Sequence, residues 1–106
     1  MWYRAALPPQ VTLPADEPDA VFHLFVVRVP RRDAFRAHLE ARGAITAIHY
    51  PVPVHLQPAY KDLGYSLGSF PVTERLASEI VSLPMHPFLE RSQIQYVAAA
   101  AAEFFT

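Results

Sequence analysis

Apolar and polar positions along the first half of the chain predict a strand, a helix and a second strand. Residues 22–29 form a nearly continuous β-branched and aromatic run that Pro30 ends, which is typical of a strand buried on both faces. Residues 31–42 follow with apolar side chains at helical spacing, and Gly43 suits the position after the last turn. Residues 45–50 predict the second strand.

Prolines and glycines divide the second half into short elements. Residues 58–63 are a candidate short helix that ends at Gly64, and Pro71 suits the first turn of the next helix. The apolar stripe of that helix consists of Val72, Leu76 and Ile80. A third short strand is predicted at residues 83–85 and a final helix at residues 91–105. The predicted buried face of the final helix consists of Ile94, Val97, Ala98, Ala101 and Phe105.

The N-terminal region has a different character. Residues 1–7 predict the last turns of a helix, whereas residues 8–20 contain four prolines and three acidic residues and predict an irregular connector. We therefore divide the chain into residues 1–20, the end of an interdomain helix with its connector, and residues 21–106, one domain. The order of elements in that domain predicts a two-layer α+β fold with about three short strands and helices packed on the sheet.

Composition restricts the partners of the chain. Of its 106 residues, 52% are hydrophobic and 18% are charged, which is more apolar than a typical soluble domain. Such an excess predicts contact with another protein surface, or self-association. The net charge is −1 and no basic block is present, so nucleic-acid binding is not expected.

Targeting and redox signals are few. No apolar run is long enough to span a membrane, and the N-terminus lacks the pattern of a signal peptide. The absence of cysteine excludes disulfides and thiolate metal sites. These features favour a cytoplasmic protein that does not contact a membrane.

Candidate binding chemistry centres on one proline-stiffened segment. His49 and His55 flank two prolines, and a rigid loop after a strand is a usual place for binding groups. Together with Tyr50 and Gln57 these histidines offer hydrogen-bonding groups that suit a polar ligand such as a sugar. The alternative is that each histidine only donates to a backbone carbonyl at a corner between two layers. Neither histidine has enough neighbouring ligands to predict a metal site. The other histidines, with predicted structural roles, are His23, His38 and His86.

Catalytic machinery is not predicted in this chain. It has neither a nucleophile motif nor a glycine-rich phosphate loop, and its acidic residues, Glu74 among them, are expected to be solvated. The single lysine, Lys61, precedes Asp62 on a predicted surface turn. A lysine that forms a Schiff base requires desolvation or an electrostatic perturbation, so Lys61 is a poor candidate.

Two segments resemble the DegT–DnrJ–StrS-type sugar aminotransferases. They are HYPVPVHLQPAY at residues 49–60 and FPVTERLASEIVSLPMHP at residues 70–87, and the elements around them occur in the same order. The resemblance covers roughly residues 3–105. It implies the C-terminal small domain of a fold-type I enzyme.

The resemblance implies a parent enzyme that depends on pyridoxal phosphate. Such an enzyme transfers an amino group from an amino acid, commonly glutamate, to a nucleotide-linked keto-sugar, usually as a homodimer. In the family, the large domain supplies the cofactor's lysine, the acid that pairs with its ring and its phosphate site, and none of these matches a position here. The chain alone is therefore expected to bind no cofactor and to be inactive without the missing large domain.

The family pattern also assigns residues within this chain. His49, Tyr50 and His55 are implied to face the nucleotide-sugar substrate, and Gln57 is a weaker candidate. Glu90 stands where relatives often have a Ser or Thr helix cap, so we expect a weak start to the final helix. Two alternatives remain: a stand-alone, non-catalytic binding module with this fold, or a fragment without a function of its own.

Overall fold

The computed structural model describes residues 2–106, which form four α-helices, two β-strands and two short 3₁₀ helices. The helices are α1 (Trp2–Ala6), α2 (Arg32–Ala41), α3 (Pro71–Glu79) and α4 (Arg91–Phe104). The strands are β1 (Phe25–Arg28) and β2 (Ile80–Leu83), and the 3₁₀ helices are Val54–Leu56 and Pro58–Leu63. Met1, part of the helical segment predicted at residues 1–7, lies outside the described residues.

The two strands pair antiparallel, from Phe25 opposite Leu83 to Arg28 opposite Ile80. Helices pack against this small sheet, so the predicted α+β class is confirmed. The predicted third strand at residues 83–85 was placed too late, because the chain becomes extended as soon as α3 ends at Glu79. β1 is also shorter than predicted.

The strand predicted at residues 45–50 is wrong: only Ala47 pairs with the sheet, through both of its backbone hydrogen bonds to Ser82. Continuing this antiparallel ladder would place Ile45 opposite Pro84 and His49 opposite Ile80. Pro84 has no N–H to donate. The pairing between the segment at Ala47 and β2 therefore cannot continue toward Ile45.

The other side of the ladder is blocked at Ile80. Its N–H bonds to the carbonyl of Leu76 at the end of α3, and its carbonyl accepts a hydrogen bond from the Arg32 guanidinium at 2.9 Å. Since both backbone groups of Ile80 are engaged elsewhere, the backbone of His49 has no partner in the sheet. The chain leaves the sheet at this point and begins the segment that carries the candidate site.

The core lies between the sheet and the helices and includes α1. Tyr3 is fully buried, its ring stacks on Phe25 with 5.1 Å between centroids, and its hydroxyl donates to the Pro84 carbonyl at 2.7 Å. Other core side chains are Val11, Val27, Phe35, Leu39, Val81, Ile94, Val97 and Ala101. The N-terminal helix and the connector thus pack into the same core as the sheet.

Helix α4 closes the domain close to its predicted bounds. Of its predicted buried face, all members are buried except Phe105, which is half-buried. The start of the helix is better held than expected, because the Gln93 side chain accepts a hydrogen bond from the Glu90 N–H at 2.8 Å. No helix within residues 2–106 combines the length and apolarity that a bilayer crossing requires.

Candidate functional site

The residues predicted to face a substrate lie on residues 49–57, just after the chain leaves the sheet. Pro53 has polyproline-like dihedrals (φ −52°, ψ 142°), as the proline pair predicts, and a 3₁₀ helix follows it. The Gln57 amide donates to the Val52 carbonyl at 3.3 Å and so closes the segment on itself. The Gln57 side chain therefore forms its hydrogen bond within residues 49–57 themselves.

His49 is anchored to the sheet. Its Nδ1 lies 2.8 Å from the hydroxyl of Ser82, a buried residue of β2. The next side chain, Tyr50, is 72% exposed, and its ring meets the His49 ring edge-on at 5.5 Å. The peptide bond between them is cis. Buried Ser82 thus orients one histidine, beside a tyrosine whose side chain remains accessible.

His55 is anchored to a different element, helix α3. Its side chain is only 6% exposed, and its Nε2 lies 3.3 Å from an oxygen of Glu74. The ring of Phe70 packs edge-on against it at 4.8 Å. Among residues 2–106, neither His49 nor His55 finds the backbone carbonyl partner that the alternative interpretation required.

Glu74 was expected to be solvated, and that expectation is wrong. Its carboxylate accepts the N–H of Gly68 at 2.7 Å and the N–H of Phe70 at 3.0 Å, and its side chain is 13% exposed. The Gly68 hydrogen bond, with smaller contributions from Phe70 and His55, holds the pKa of Glu74 below its usual range although burial opposes this. A sequence signal existed, since an acid in the first turn after Pro71 suits the free N–H groups of a helix start.

A cleft of about 410 Å³ lies beside this pair. It is lined by Val54, His55, Tyr60, Leu63, Tyr65, Phe70 and Thr73. Most of these side chains are apolar or aromatic, and His55, which Glu74 holds from behind, and Thr73 supply polar groups to the wall. Such a surface can bind and orient a ligand, but the residues lining it include no activated nucleophile.

The remaining candidates do not assemble a catalytic centre. Lys61 is exposed on the second 3₁₀ helix, so the chain's single lysine is neither desolvated nor placed in the cleft. His38 is half-buried and donates to the Ala100 carbonyl at 2.8 Å. His23 and His86 are exposed. Within residues 2–106 no group of three histidine or acidic side chains is arranged to hold a metal ion.

Sequence comparison finds a family that covers most of the chain. Residues 5–102 match the DegT/DnrJ/EryC1/StrS aminotransferase family. The chain is 52% identical over 93 residues to the erythromycin biosynthesis sensory transduction protein EryC1 of Saccharopolyspora erythraea, covering 86% of this chain and 25% of that protein. It is 49% identical over 98 residues to dTDP-3-amino-3,4,6-trideoxy-alpha-D-glucose transaminase of Streptomyces venezuelae, covering 91% and 26% respectively.

Structural comparison agrees with the sequence. Over 96% of this chain, S. venezuelae DesV superposes with a TM-score of 0.89 and 47% identity, and the chain covers 29% of it. A DegT/DnrJ/EryC1/StrS aminotransferase from Brucella abortus superposes over the same share with a TM-score of 0.85 and 35% identity, with 28% of it covered. The chain thus spans about a quarter of the length of its curated relatives. It belongs to the DegT/DnrJ/EryC1/StrS aminotransferase family.

Proposed function

We propose that this chain is the small-domain part of a pyridoxal-phosphate-dependent aminotransferase that acts on a nucleotide-linked keto-sugar, with glutamate as the expected amino donor. The names of relatives support the substrate class. One is the dTDP-sugar transaminase of S. venezuelae, and another, 38% identical, is the UDP-2-acetamido-2-deoxy-3-oxo-D-glucuronate aminotransferase of Pseudomonas aeruginosa. In this proposal residues 1–20 end the interdomain helix and its connector, and residues 21–106 form the small domain.

The observation that carries the proposal is the position of the single lysine. Pyridoxal phosphate supplies an electron sink when it is held on a lysine, and that lysine has to be desolvated or electrostatically perturbed. Lys61 is exposed and follows Tyr60 on a surface 3₁₀ helix, so the residues of this chain do not fit the cofactor. The lysine must then come from sequence outside this chain, and the chain alone is inactive in transamination and binds no cofactor.

The contribution of this chain is to position the substrate. Tyr50 offers an exposed phenol for a hydrogen bond to the sugar, and His49 is held beside it by Ser82. His55 is buried, so it borders the substrate side only as part of the cleft wall, where its contact with Glu74 fixes it. Holding a substrate in a reactive geometry can lower a barrier without any chemical step by the holding groups.

The partner in this proposal is a large domain, within a homodimer of the intact enzyme. The exposed apolar side chains concentrated between residues 50 and 72 supply a surface for such a contact, since monomeric proteins seldom expose large apolar patches. A cytoplasmic location belongs to the same proposal, because the chain has no cysteine for disulfides.

A cofactor-binding experiment tests the lysine argument directly. The purified chain is incubated with pyridoxal phosphate, reduced with borohydride and examined by mass spectrometry, with Lys61→Arg as the matched control. We expect no stoichiometric adduct, and any trace labelling at Lys61 should vanish in the control. A stoichiometric adduct at Lys61 with a defined absorbance band would overturn the proposal.

A graft tests the activity. The C-terminal segment of the S. venezuelae transaminase that matches this chain is replaced by the chain, and turnover of the dTDP-linked keto-sugar is measured. We expect the chimera to be active and Tyr50→Phe to raise its KM more than it lowers kcat. A folded chimera that binds pyridoxal phosphate but shows no turnover would contradict the proposal.

A second candidate is a binding module without catalysis. It is favoured by the regulatory names of two relatives, EryC1 of S. erythraea and the pleiotropic regulatory protein of Geobacillus stearothermophilus, which is 46% identical over 85 residues. The graft separates the two candidates, because a pure binding module has no need to support turnover.

A further inference from the structure

The loop at residues 64–70 is not held in place by burial. Each of its residues is exposed, and the loop carries the apolar side chains of Tyr65, Leu67 and Phe70. An exposed apolar loop ordinarily has many conformations of similar free energy, because no core contact selects one of them. The order of this loop therefore has to come from hydrogen bonds or from ring contacts.

The hydrogen bonds converge on one residue. Within residues 2–106, all hydrogen bonds that join residues 65–70 to other parts of the chain end at Glu74. Its carboxylate accepts from Gly68 and Phe70, and its own N–H donates to the Phe70 carbonyl at 3.0 Å. The bonds between Ser66 and Ser69 stay within the loop.

Ring contacts extend this anchor to the candidate site. The Tyr65 ring lies 4.9 Å from the Phe70 ring, and the Phe70 ring lies 4.8 Å from the His55 ring. His55 is in turn fixed by its contact with Glu74 at 3.3 Å. One carboxylate thus touches both the loop and the histidine against which the loop packs.

We propose that Glu74 is a positioning residue that holds loop 64–70 and His55 together, so that the cleft lined by His55, Tyr65 and Phe70 is already formed before a ligand binds. Both oxygens of the carboxylate are needed. Oε1 accepts a hydrogen bond from the Gly68 N–H, and Oε2 accepts one from the Phe70 N–H and lies 3.3 Å from His55 Nε2. The assignment of the cleft to the substrate side rests on the proposed function, whereas the coupling of the loop to Glu74 is independent of that function.

The coupling is measured on the full 106-residue chain by amide hydrogen exchange, with Glu74→Gln as the test variant. The amide retains one acceptor oxygen but brings an NH₂ group toward a backbone N–H, so one of the two loop bonds is lost. We expect exchange at Gly68 and Phe70 to accelerate at least about tenfold, while amides in the middle of α4 change less than about twofold.

The matched control is Glu79→Gln, on the same helix. Glu79 pairs with Arg28 and Arg75 at 3.8 and 3.9 Å and is not a partner of the loop. In the Glu79→Gln variant, we expect the amide exchange rates at Gly68 and Phe70 to equal those of the wild type. Unchanged loop exchange in Glu74→Gln, or equal acceleration in the loop and in α4, would overturn the proposal. Should Glu74→Gln fail to fold, Glu74→Asp keeps the charge, and its loop exchange is then expected to exceed that of the wild type.

Two further readouts distinguish positioning from simple stability. The ring ¹⁵N signals of His55 report the proton on Nε2, and we expect them to change in Glu74→Gln and not in Glu79→Gln. With dTDP-glucose as the probe, we expect shifts at Tyr60 and Tyr65, which line the cleft, and we expect these shifts to weaken in Glu74→Gln. A probe that shifts nothing in the wild type would count against the proposed function, whereas loop exchange still decides the role of Glu74.

Discussion

Arg32 Nη1 donates to the carbonyl of Ile80 at 2.9 Å, and this contact, together with the bond from the Ile80 N–H to Leu76, ends the pairing along β2. The same nitrogen donates to the carbonyl of Ala77, so one buried guanidinium satisfies the end of α3 and the first residue of β2. Because Ile80 is occupied in this way, His49 leaves the sheet and is held by the Ser82 side chain instead. The candidate segment therefore depends on an arginine that lies 17 residues earlier in the chain than His49.

Replacing Arg32 with Met should destabilise the domain strongly. The substitution keeps an apolar stem but leaves two carbonyls without their donor, which costs about 2–4 kcal/mol in the free energy of unfolding. Denaturant unfolding monitored by circular dichroism measures it. The control is Arg75→Met, at an exposed arginine on α3, with an expected change within about 0.5 kcal/mol. Equal midpoints for the two variants would contradict this role of Arg32.

Arg31 has a left-handed backbone conformation, with φ 51° and ψ 47°, immediately before α2. This conformation costs a residue with a Cβ about 1 kcal/mol relative to glycine. The Arg31 guanidinium also lies 4.8 Å from the centroid of the Phe104 ring, so any substitution loses that contact. Arg31→Gly and Arg31→Ala lose it equally, and we expect the glycine variant to unfold at the higher denaturant concentration. The opposite order would show that the backbone there is not strained.

The elements that follow from local signals were predictable. The spacing in residues 31–42 predicted α2, and the apolar face of residues 91–105 predicted α4 close to its bounds. The missing strand was not predictable in this way, since Arg32 and Pro84 end its ladder and neither is a sequence neighbour of Ala47. A contact between residues far apart in sequence leaves no periodic pattern.

In the candidate site, too, local features were predictable from the sequence, whereas contacts between distant residues were not. The proline pair predicted a stiff segment at His49 and Tyr50, but the partners Ser82 and Glu74 lie 33 and 19 residues away from the histidines that they hold. The burial of His55 follows from Phe70 and Glu74, which the sequence separates from it by a loop. The substrate roles of His49, Tyr50 and His55 remain predictions that the graft experiment can test.

Tyr3 should titrate above the ordinary pKa of a tyrosine. Burial raises its pKa to about 12, because the phenolate would lose its hydration inside the core. A raised pKa in the folded chain means that stability is complete below the ordinary tyrosine pKa of 10.0 and falls as the pH rises from there toward 12. Ultraviolet titration should show a late tyrosine transition that Tyr3→Phe removes.

The stability of the Tyr3→Phe variant also tests the packing of α1 on the core. The Tyr3 hydroxyl donates to the Pro84 carbonyl, so its removal should cost about 1 kcal/mol in the free energy of unfolding. Tyr60→Phe is the matched control, since Tyr60 is 43% exposed. A wild-type titration without a late transition would mean that α1 does not remain packed on the core in solution.

Self-association of the purified chain should depend on the apolar side chains near the cleft. Leu63 is 63% exposed and Leu67 is 79% exposed, so most of the surface of each leucine is open to solvent. We expect the molar mass from sedimentation equilibrium to rise with concentration, and the double variant Leu63→Glu/Leu67→Glu to shift it toward the monomer, because charges oppose the burial of this surface. Val21→Glu, at a residue just after the connector that is 96% exposed, changes charge elsewhere and should leave association intact. A wild-type chain that stays monomeric at every concentration would show that these leucines do not drive contact between copies, and their exposure would then favour a surface kept for the large domain.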